Sequence, residues 1–240
     1  MRKFSILILC LVLLLCAASC GKAAEEEPFS AAFTIRPPES LTEVFFDTSY
    51  AGNTRVLRDD TLDYDALRAL FIDSLLGSEA DGHAARWSTS ILYALEGEFT
   101  TQDAQTMSDL SMELARIIGF PGMRETTSAN ANVHIRFERA DGAQVIPYTD
   151  ADGHIRSVQI TVPSSYLPAQ RSAALRQRIM HACGFFHTAQ TSLDSVLAER
   201  PASNLREADY ILLSILYGGV EAGDDKKACL AAFERYFAEE

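Results

Sequence analysis

Five residues in the C-terminal half of the chain have the spacing of a helical metal site. Gln177, Arg178, His181, Gly184 and His187 follow one another as Gln-Arg-x-x-His-x-x-Gly-x-x-His. Side chains four residues apart lie on one face of a helix, so imidazoles at positions 177 and 181 could share one zinc ion. A glycine three residues later lets the chain leave the helix in a left-handed conformation. The last histidine could then complete three protein ligands and leave a fourth position for water.

Two of those positions hold the wrong groups for hydrolysis. Gln177 stands where the first imidazole would be, and a neutral amide is a poor zinc ligand. Arg178 stands where a glutamate would take a proton from the zinc-bound water. A guanidinium is always cationic and cannot accept that proton, and its charge opposes the binding of a dication. The pattern therefore predicts a site with no catalytic residue.

The same pattern leaves three interpretations of the two histidines. We expect no bound cofactor, because the ligand set is incomplete. The alternative is zinc held by His181 and His187, with a further ligand recruited from a loop. A third interpretation is that both side chains are packed, hydrogen-bonded residues without any metal.

The N-terminus has the features of an export signal. Arg2 and Lys3 precede an apolar run over residues 4–15, which is too short for a comfortable membrane span. Residues 17–19, Ala-Ala-Ser, then precede Cys20, and this site resembles a bacterial lipobox. The resemblance implies a signal peptide over residues 1–19, lipid on the sulfur of Cys20 and an extracytoplasmic domain anchored to the bacterial cell membrane. The alternative is an ordinary secretory signal with a chance cysteine.

Residues 20–40 are polar, acidic and proline-containing, and we interpret them as a flexible tether. A first strand over residues 29–35 is the alternative. Residues 41–240 then form one domain of a size that supports a core. The formal net charge is −12, and the loss of Arg2 and Lys3 with a signal peptide would make it more negative. This charge argues against nucleic acid as a partner.

The hydrophobic pattern predicts an α+β domain. Apolar residues at helical spacing, with capping residues at the ends, predict helices over residues 63–76, 101–118, 204–218 and 225–237, and a central helix with the turn that ends it over residues 169–187. Alternating patterns predict strands over residues 41–46, 91–95, 132–138 and 155–162. Cys183 and Cys229 fall on two of the helices, so a disulfide and a pair of buried free thiols are both open.

From about Trp87 to Gly218 the chain resembles the metzincin zinc proteases. The resemblance is carried by His181, Gly184 and His187, and by the order of strand, helix, two strands and central helix. It implies a twisted mixed sheet with the zinc-motif helix packed beneath it and helices at the C-terminus. Metzincins follow the third histidine with a tight Met-turn under the metal. Here Ser195 and Leu197 resemble the serine and methionine of that turn, and residues 216–218, Leu-Tyr-Gly, resemble the end of the final helix.

More closely, the chain resembles a bacterial family of metzincin-like domains of unknown function that are often found on lipoproteins. That family has a tryptophan before the first strand, an asparagine ahead of the middle strand and an eroded zinc motif. Trp87, Asn132 and residues 177–184 match this outline. His181 and His187 bring this chain closer to the zinc pattern than many relatives, whereas Gln177 and Arg178 take it further from catalysis.

The resemblance also implies a place for a ligand. In metzincins the strand before the zinc helix lies at the sheet edge and pairs with extended substrate, and residues 155–162 hold that place here. We therefore expect a membrane-anchored pseudoprotease domain that binds a peptide or another cell-envelope protein. The alternatives are an active zinc metallopeptidase with unusual ligands and a purely structural envelope lipoprotein with a closed cleft.

Overall fold

A computed structural model describes residues 62–77 and 82–238. This part of the chain contains five α-helices: α1 (Tyr64–Leu76), α2 (Thr101–Leu114), α3 (Pro168–Ala182), α4 (Glu207–Gly219) and α5 (Lys226–Phe237). It also contains five strands: β1 (Ile91–Gly97), β2 (Met123–Glu125), β3 (Val133–Glu138), β4 (Gln144–Thr149) and β5 (Ile155–Pro163). The predicted α+β class with a mixed sheet is thus confirmed.

Several predictions fall outside the described residues. They are the signal peptide, Cys20, the tether, the strand over residues 41–46 and the domain boundary near residue 41, which all stay predictions. None of the helices formed by residues 62–77 and 82–238 is both long enough and apolar enough to cross a membrane.

The five strands form one sheet in the order β2-β1-β3-β5-β4. Four of the strands, β2, β1, β3 and β5, run parallel to one another. The fifth, β4, pairs with β5 antiparallel. Asp150 closes the connection between β4 and β5, because its amide donates to the carbonyl of His154 at 3.0 Å. The two strands therefore form a hairpin at one side of the sheet.

This topology corrects the predicted edge. Residues 155–162 lie in β5, between β3 and β4, so the prediction that they form the edge strand was wrong. The edge belongs to β4, which the sequence pattern did not reveal. Pro147 interrupts the alternating pattern of β4, and a proline is accepted in a sheet only at an edge or a bulge.

The helix ends differ by a few residues from the predicted ones. Asp63 and Asp225, predicted as the first residues of two helices, are the N-caps instead: Asp63 accepts the amides of Asp65 and Ala66 before α1, and Asp225 accepts the amide of Ala228 before α5. The predicted start of α4 at residue 204 is too early, because the residue that precedes the helix is Arg206. Likewise α2 ends at residue 114 rather than 118, whereas α3 ends at residue 182, just before the turn predicted at Gly184.

A buried ion pair fastens α3, the central helix, to α2. Arg171 Nη2 lies 2.9 Å from the carboxylate of Asp103 and 2.7 Å from the carbonyl oxygen of Glu98. The same guanidinium lies 4.6 Å from the centre of the Phe137 ring in β3. Since Asp103 also accepts from the amide of Thr100 at the start of α2, one carboxylate both caps a helix and positions its neighbour.

The two cysteines outside the N-terminal region are not joined. Cys183 and Cys229 are both buried free thiols, which decides between the two alternatives that the sequence left open. Burial raises the pKa of each thiol to about 12, so both are protonated and unreactive at neutral pH.

Candidate functional site

A cleft of about 590 Å³ lies between the edge strand and the end of the central helix. Its walls are residues 143–146 at the start of β4, Arg178 and His181 on α3, and residues 186–188 in the loop that follows α3. Val145, Ile146 and Phe186 give it apolar surface, whereas its polar side chains come from α3, from the loop that follows and from Gln144 on β4. The structure therefore brings Arg178, His181 and His187 together in one cleft.

His181 holds an unpartnered polar atom in this cleft. The residue is only 3% exposed, and its Nδ1 atom lies 3.3 Å from Nη1 of Arg178. A guanidinium can only donate, so Nδ1 accepts and the ring proton lies on Nε2. Nε2 is buried and has no hydrogen-bond partner among the described residues. Burial, followed by the charges of Arg178 and His187, lowers the pKa of His181 from 6.5 to about 3, so the ring is neutral at neutral pH.

Arg178 is a half-buried cation without an acidic partner in the described part of the chain. Its Nε atom is buried and makes no hydrogen bond within residues 62–77 and 82–238. Burial lowers the pKa of the guanidinium, which nevertheless stays charged. No described residue that lines the cleft carries a carboxylate. The cleft therefore has uncompensated positive charge beside a neutral donor.

The other residues of the sequence motif have different positions. Gln177 is buried but is not among the residues that line the cleft. His187 is exposed, its amide donates to the carbonyl of Ser74 at 3.1 Å, and its ring packs against Gly77. A side chain at position 77 would approach that ring to 2.9 Å, so the glycine makes room for the imidazole.

Gly184 makes the turn that the sequence predicted. Its φ angle is +125°, in a region that other residues rarely adopt, and it lies directly against the carbonyl oxygen of Ala85. Two hydrogen bonds hold the two residues that come directly before Gly184. Trp87 Nε1 donates to the carbonyl of Ala182 at 2.7 Å, and the Tyr217 hydroxyl donates to the carbonyl of Cys183 at 2.8 Å.

We expect Gly184→Ala to lower the free energy of unfolding by about 3 kcal/mol, since it combines backbone strain with overpacking. The added methyl group would fall on the Ala85 carbonyl, which cannot move without shifting the backbone. Urea denaturation followed by circular dichroism measures the loss. Gly142→Ala is the matched control, because a side chain there meets no atom within 4 Å. Equal stability of the two variants would contradict this account of the turn.

The predicted Met-turn region forms a buried hydrogen-bond network around Asp209. Ser195 and Leu197 are fully buried, and the Ser195 hydroxyl donates to Asp209 Oδ1 at 2.5 Å. Asp209 Oδ2 accepts the amides of Val196 at 3.2 Å and Arg206 at 2.8 Å. Burial raises the pKa of Asp209 from 3.8 to about 6, against the opposing effect of these hydrogen bonds. Sequence reasoning missed Asp209, although an acid three residues after a helix N-cap is a recognised capping signal.

The donor set fits a zinc ion poorly. Among residues 62–77 and 82–238, no three His, Cys, Asp or Glu side chains are grouped so that they could hold a metal. A zinc-binding histidine normally donates its second ring N–H to an acceptor, which leaves the other nitrogen free for the metal. In this cleft Arg178 donates to His181 Nδ1, and the proton is therefore on Nε2. The tautomer is the reverse of the one that a zinc ligand on Nε2 needs.

The edge strand has free backbone groups at the cleft. The amide of Val158 in β5 donates to the carbonyl of Asn132, on the side away from β4. In an antiparallel pair, two opposite residues direct their backbone groups either towards each other or both away. Pro147 is the β4 residue opposite Val158, so its backbone groups point away from β5. The same holds for Val145, two residues earlier. Within the described residues no strand pairs with this outer side of β4.

Comparison with protein-family models and with curated proteins found no match. The solved structures that this chain matches include a crystal structure of myroilysin, a metalloprotease, with 11% sequence identity and a TM-score of 0.41. The matched region covers 60% of this chain and 94% of the myroilysin chain. A likeness at this level is too weak to assign a fold family or an activity.

Proposed function

We propose that this chain is a lipid-anchored pseudoprotease domain that binds an extended peptide of the cell envelope and does not cleave it. The observation that carries the proposal is the cleft itself. Its cationic Arg178 stands where the metzincin pattern has a general base, and the opposite wall is the edge of β4, which no strand of the described residues pairs with.

The absence of catalysis is supported by the chemistry of the cleft residues. A guanidinium cannot take a proton from water, and no described carboxylate lines the cleft to replace it. The ring of His181 presents a protonated Nε2 instead of a lone pair. Arg178 and His181 can bind a ligand through donated hydrogen bonds, but neither is able to take a proton from water in this arrangement, and the described residues of the cleft do not form a complete set of zinc ligands.

Peptide binding is supported by the outer side of β4. Val145 has an outward amide and carbonyl at the mouth of the cleft, and an extended peptide could pair with both. Ile146 and Tyr148 are each 47% exposed on the same strand, and they would be partly covered by such a peptide. A peptide along this edge would pass directly over Arg178 and His181.

The membrane anchor is supported by the sequence alone. Cys20 follows an Ala-Ala-Ser segment after a short apolar run, and residues 20–40 would hold the domain away from the bilayer. We expect Cys20→Ser to move the chain from the membrane fraction to the soluble fraction of cells. Fractionation with an antibody against the C-terminal helix measures the change.

Peptide binding can be tested with the full chain in mild detergent and a pool of N-acetylated, random-sequence short peptides. We expect retained peptides and, in the presence of zinc, no new peptide ends by mass spectrometry. Val145→Pro removes the outward amide without removing a hydrogen bond of the sheet, so it should lower retention about tenfold. Val145→Ala keeps the amide and is the matched control.

The outcomes separate the three functional hypotheses. Zinc-dependent cleavage of the pool that is lost in His181→Ala would mean an active metallopeptidase. No retention of any peptide would favour a structural lipoprotein whose cleft takes no ligand. Retention without cleavage, with Val145→Pro weaker than Val145→Ala, is the result that the proposal requires.

A further inference from the structure

We infer that the cleft takes the C-terminal carboxylate of its peptide, with the guanidinium of Arg178 and the Nε2–H of His181 as donors beside the first residues of β4. This inference rests on the proposed function, because it names the part of a bound peptide that the cleft would recognise. It depends on Arg178 and His181, two residues of one helix that line the same cavity. Each has a buried donor atom without a partner among the described residues, and each side chain must turn towards the cavity for that atom to reach a ligand.

The donors of the cleft match a carboxylate in number and in charge. Arg178 has a buried Nε–H without a partner, and His181 has a buried Nε2–H without a partner, both within the described residues. A buried donor that stays unpaired is costly, and an anionic acceptor relieves that cost more strongly than a neutral one. With Ile146 and Phe186 as apolar walls, the ion pair would be partly shielded from water. A carboxylate is thus the group that this cleft is best equipped to hold.

The direction of β4 selects the end of the peptide. The cleft lies at residues 143–146, which is the N-terminal end of the strand. A peptide that pairs antiparallel with β4 has its C-terminus at that end, whereas a parallel peptide would place its N-terminal ammonium there. The ammonium would be repelled by Arg178, and antiparallel pairing is also slightly more stable per residue. Strand direction and charge therefore favour the same orientation.

Pro147 limits how far the peptide can pair. Val145 offers an outward amide and carbonyl, but Pro147, the next outward residue, has no amide to offer. The regular ladder is therefore interrupted two residues after Val145. A ligand held by so few backbone bonds needs a strong contact at its end, which the pairing of a carboxylate with Arg178 would supply.

The test compares three pools of N-acetylated peptides on the full chain in detergent: free acids, C-terminal amides without acidic residues, and amides that contain one internal glutamate. We expect the acids to be retained about tenfold better than either amide pool, as one charge-assisted contact predicts. This comparison uses the unaltered protein, so it does not depend on whether a variant folds.

Three variants then locate the effect. Arg178→Gln should abolish the preference for acids, and Arg178→Lys should keep part of it because the charge remains. Arg176→Gln removes the same charge from α3 at a residue that does not line the cleft, and it should keep the whole preference. Loss of the preference in Arg176→Gln alone would overturn the assignment to the cleft.

The remaining outcomes distinguish this inference from the proposed function. Equal retention of the acids and both amide pools would overturn the inference, but it would still support the proposed binding of peptides. Retention of glutamate-containing amides at the level of acids would mean that the cleft takes a side-chain carboxylate, which also overturns it. If no pool is retained, the proposed function fails together with the inference.

Discussion

The paired substitution Gln177→His and Arg178→Glu is expected to raise the zinc affinity of the cleft at least about a hundredfold, since it supplies a ligand and removes an opposing charge. Positions 177 and 181 lie one turn apart on α3, so the new imidazole would lie on the same helix face as His181. The substitution also removes the guanidinium that donates to His181 Nδ1 and fixes its tautomer. Competition with a chromophoric chelator and metal analysis after dialysis measure the gain.

Two further variants are the controls for this double substitution. Gln177→His alone should gain much less affinity, because Arg178 remains 3.3 Å from His181. Adding His181→Ala to the double variant should return it to the affinity of the original chain. If the double variant binds no zinc, the ring of His187, which packs against Gly77, is out of reach of the other ligands. The resemblance to the zinc motif would then be one of spacing only.

The parts of the fold that the sequence predicted well are those governed by local signals. Helix α1 ends before Gly77, as the glycine indicated, and begins one residue after the predicted start at Asp63. Gly184 takes a positive φ angle where the motif required the chain to leave the helix. These features depend on a few neighbouring residues, and the amino acid type alone expresses the preference.

The parts that the sequence did not predict depend on distant contacts. The strand β4 was missed because Pro147 and exposed apolar residues conceal its alternation, and its place at the edge is decided by pairing with β5. The protonated Nε2 of His181 follows from one hydrogen bond with Arg178, which the spacing of the motif does not contain. Asp209 is similar in part: its contact with the Arg206 amide is local, whereas Ser195 and Val196 come from a segment that only the fold brings to it.

Asp209→Ala is expected to lower the free energy of unfolding by about 4 kcal/mol, since it leaves several buried donors without an acceptor. Those donors are the Ser195 hydroxyl and the amides of Val196 and Arg206. Asp209→Asn keeps one oxygen for the two amides, and its NH₂ group can donate to Ser195 Oγ. We therefore expect that variant to lose only about 1 kcal/mol at neutral pH. Urea denaturation of the two variants measures the difference.

The pH dependence of stability gives a second readout of the same carboxyl. Its pKa is raised from 3.8 in the unfolded chain to about 6 in the folded one, so the folded state binds more protons between these values. The contribution of Asp209 to the free energy of unfolding therefore falls as the pH rises through this window, by about 3 kcal/mol in total. Asp209→Asn cannot titrate, and subtracting its pH profile from that of the unaltered chain isolates the effect. Parallel profiles would mean that the Ser195 and amide hydrogen bonds outweigh burial and keep the carboxyl charged throughout.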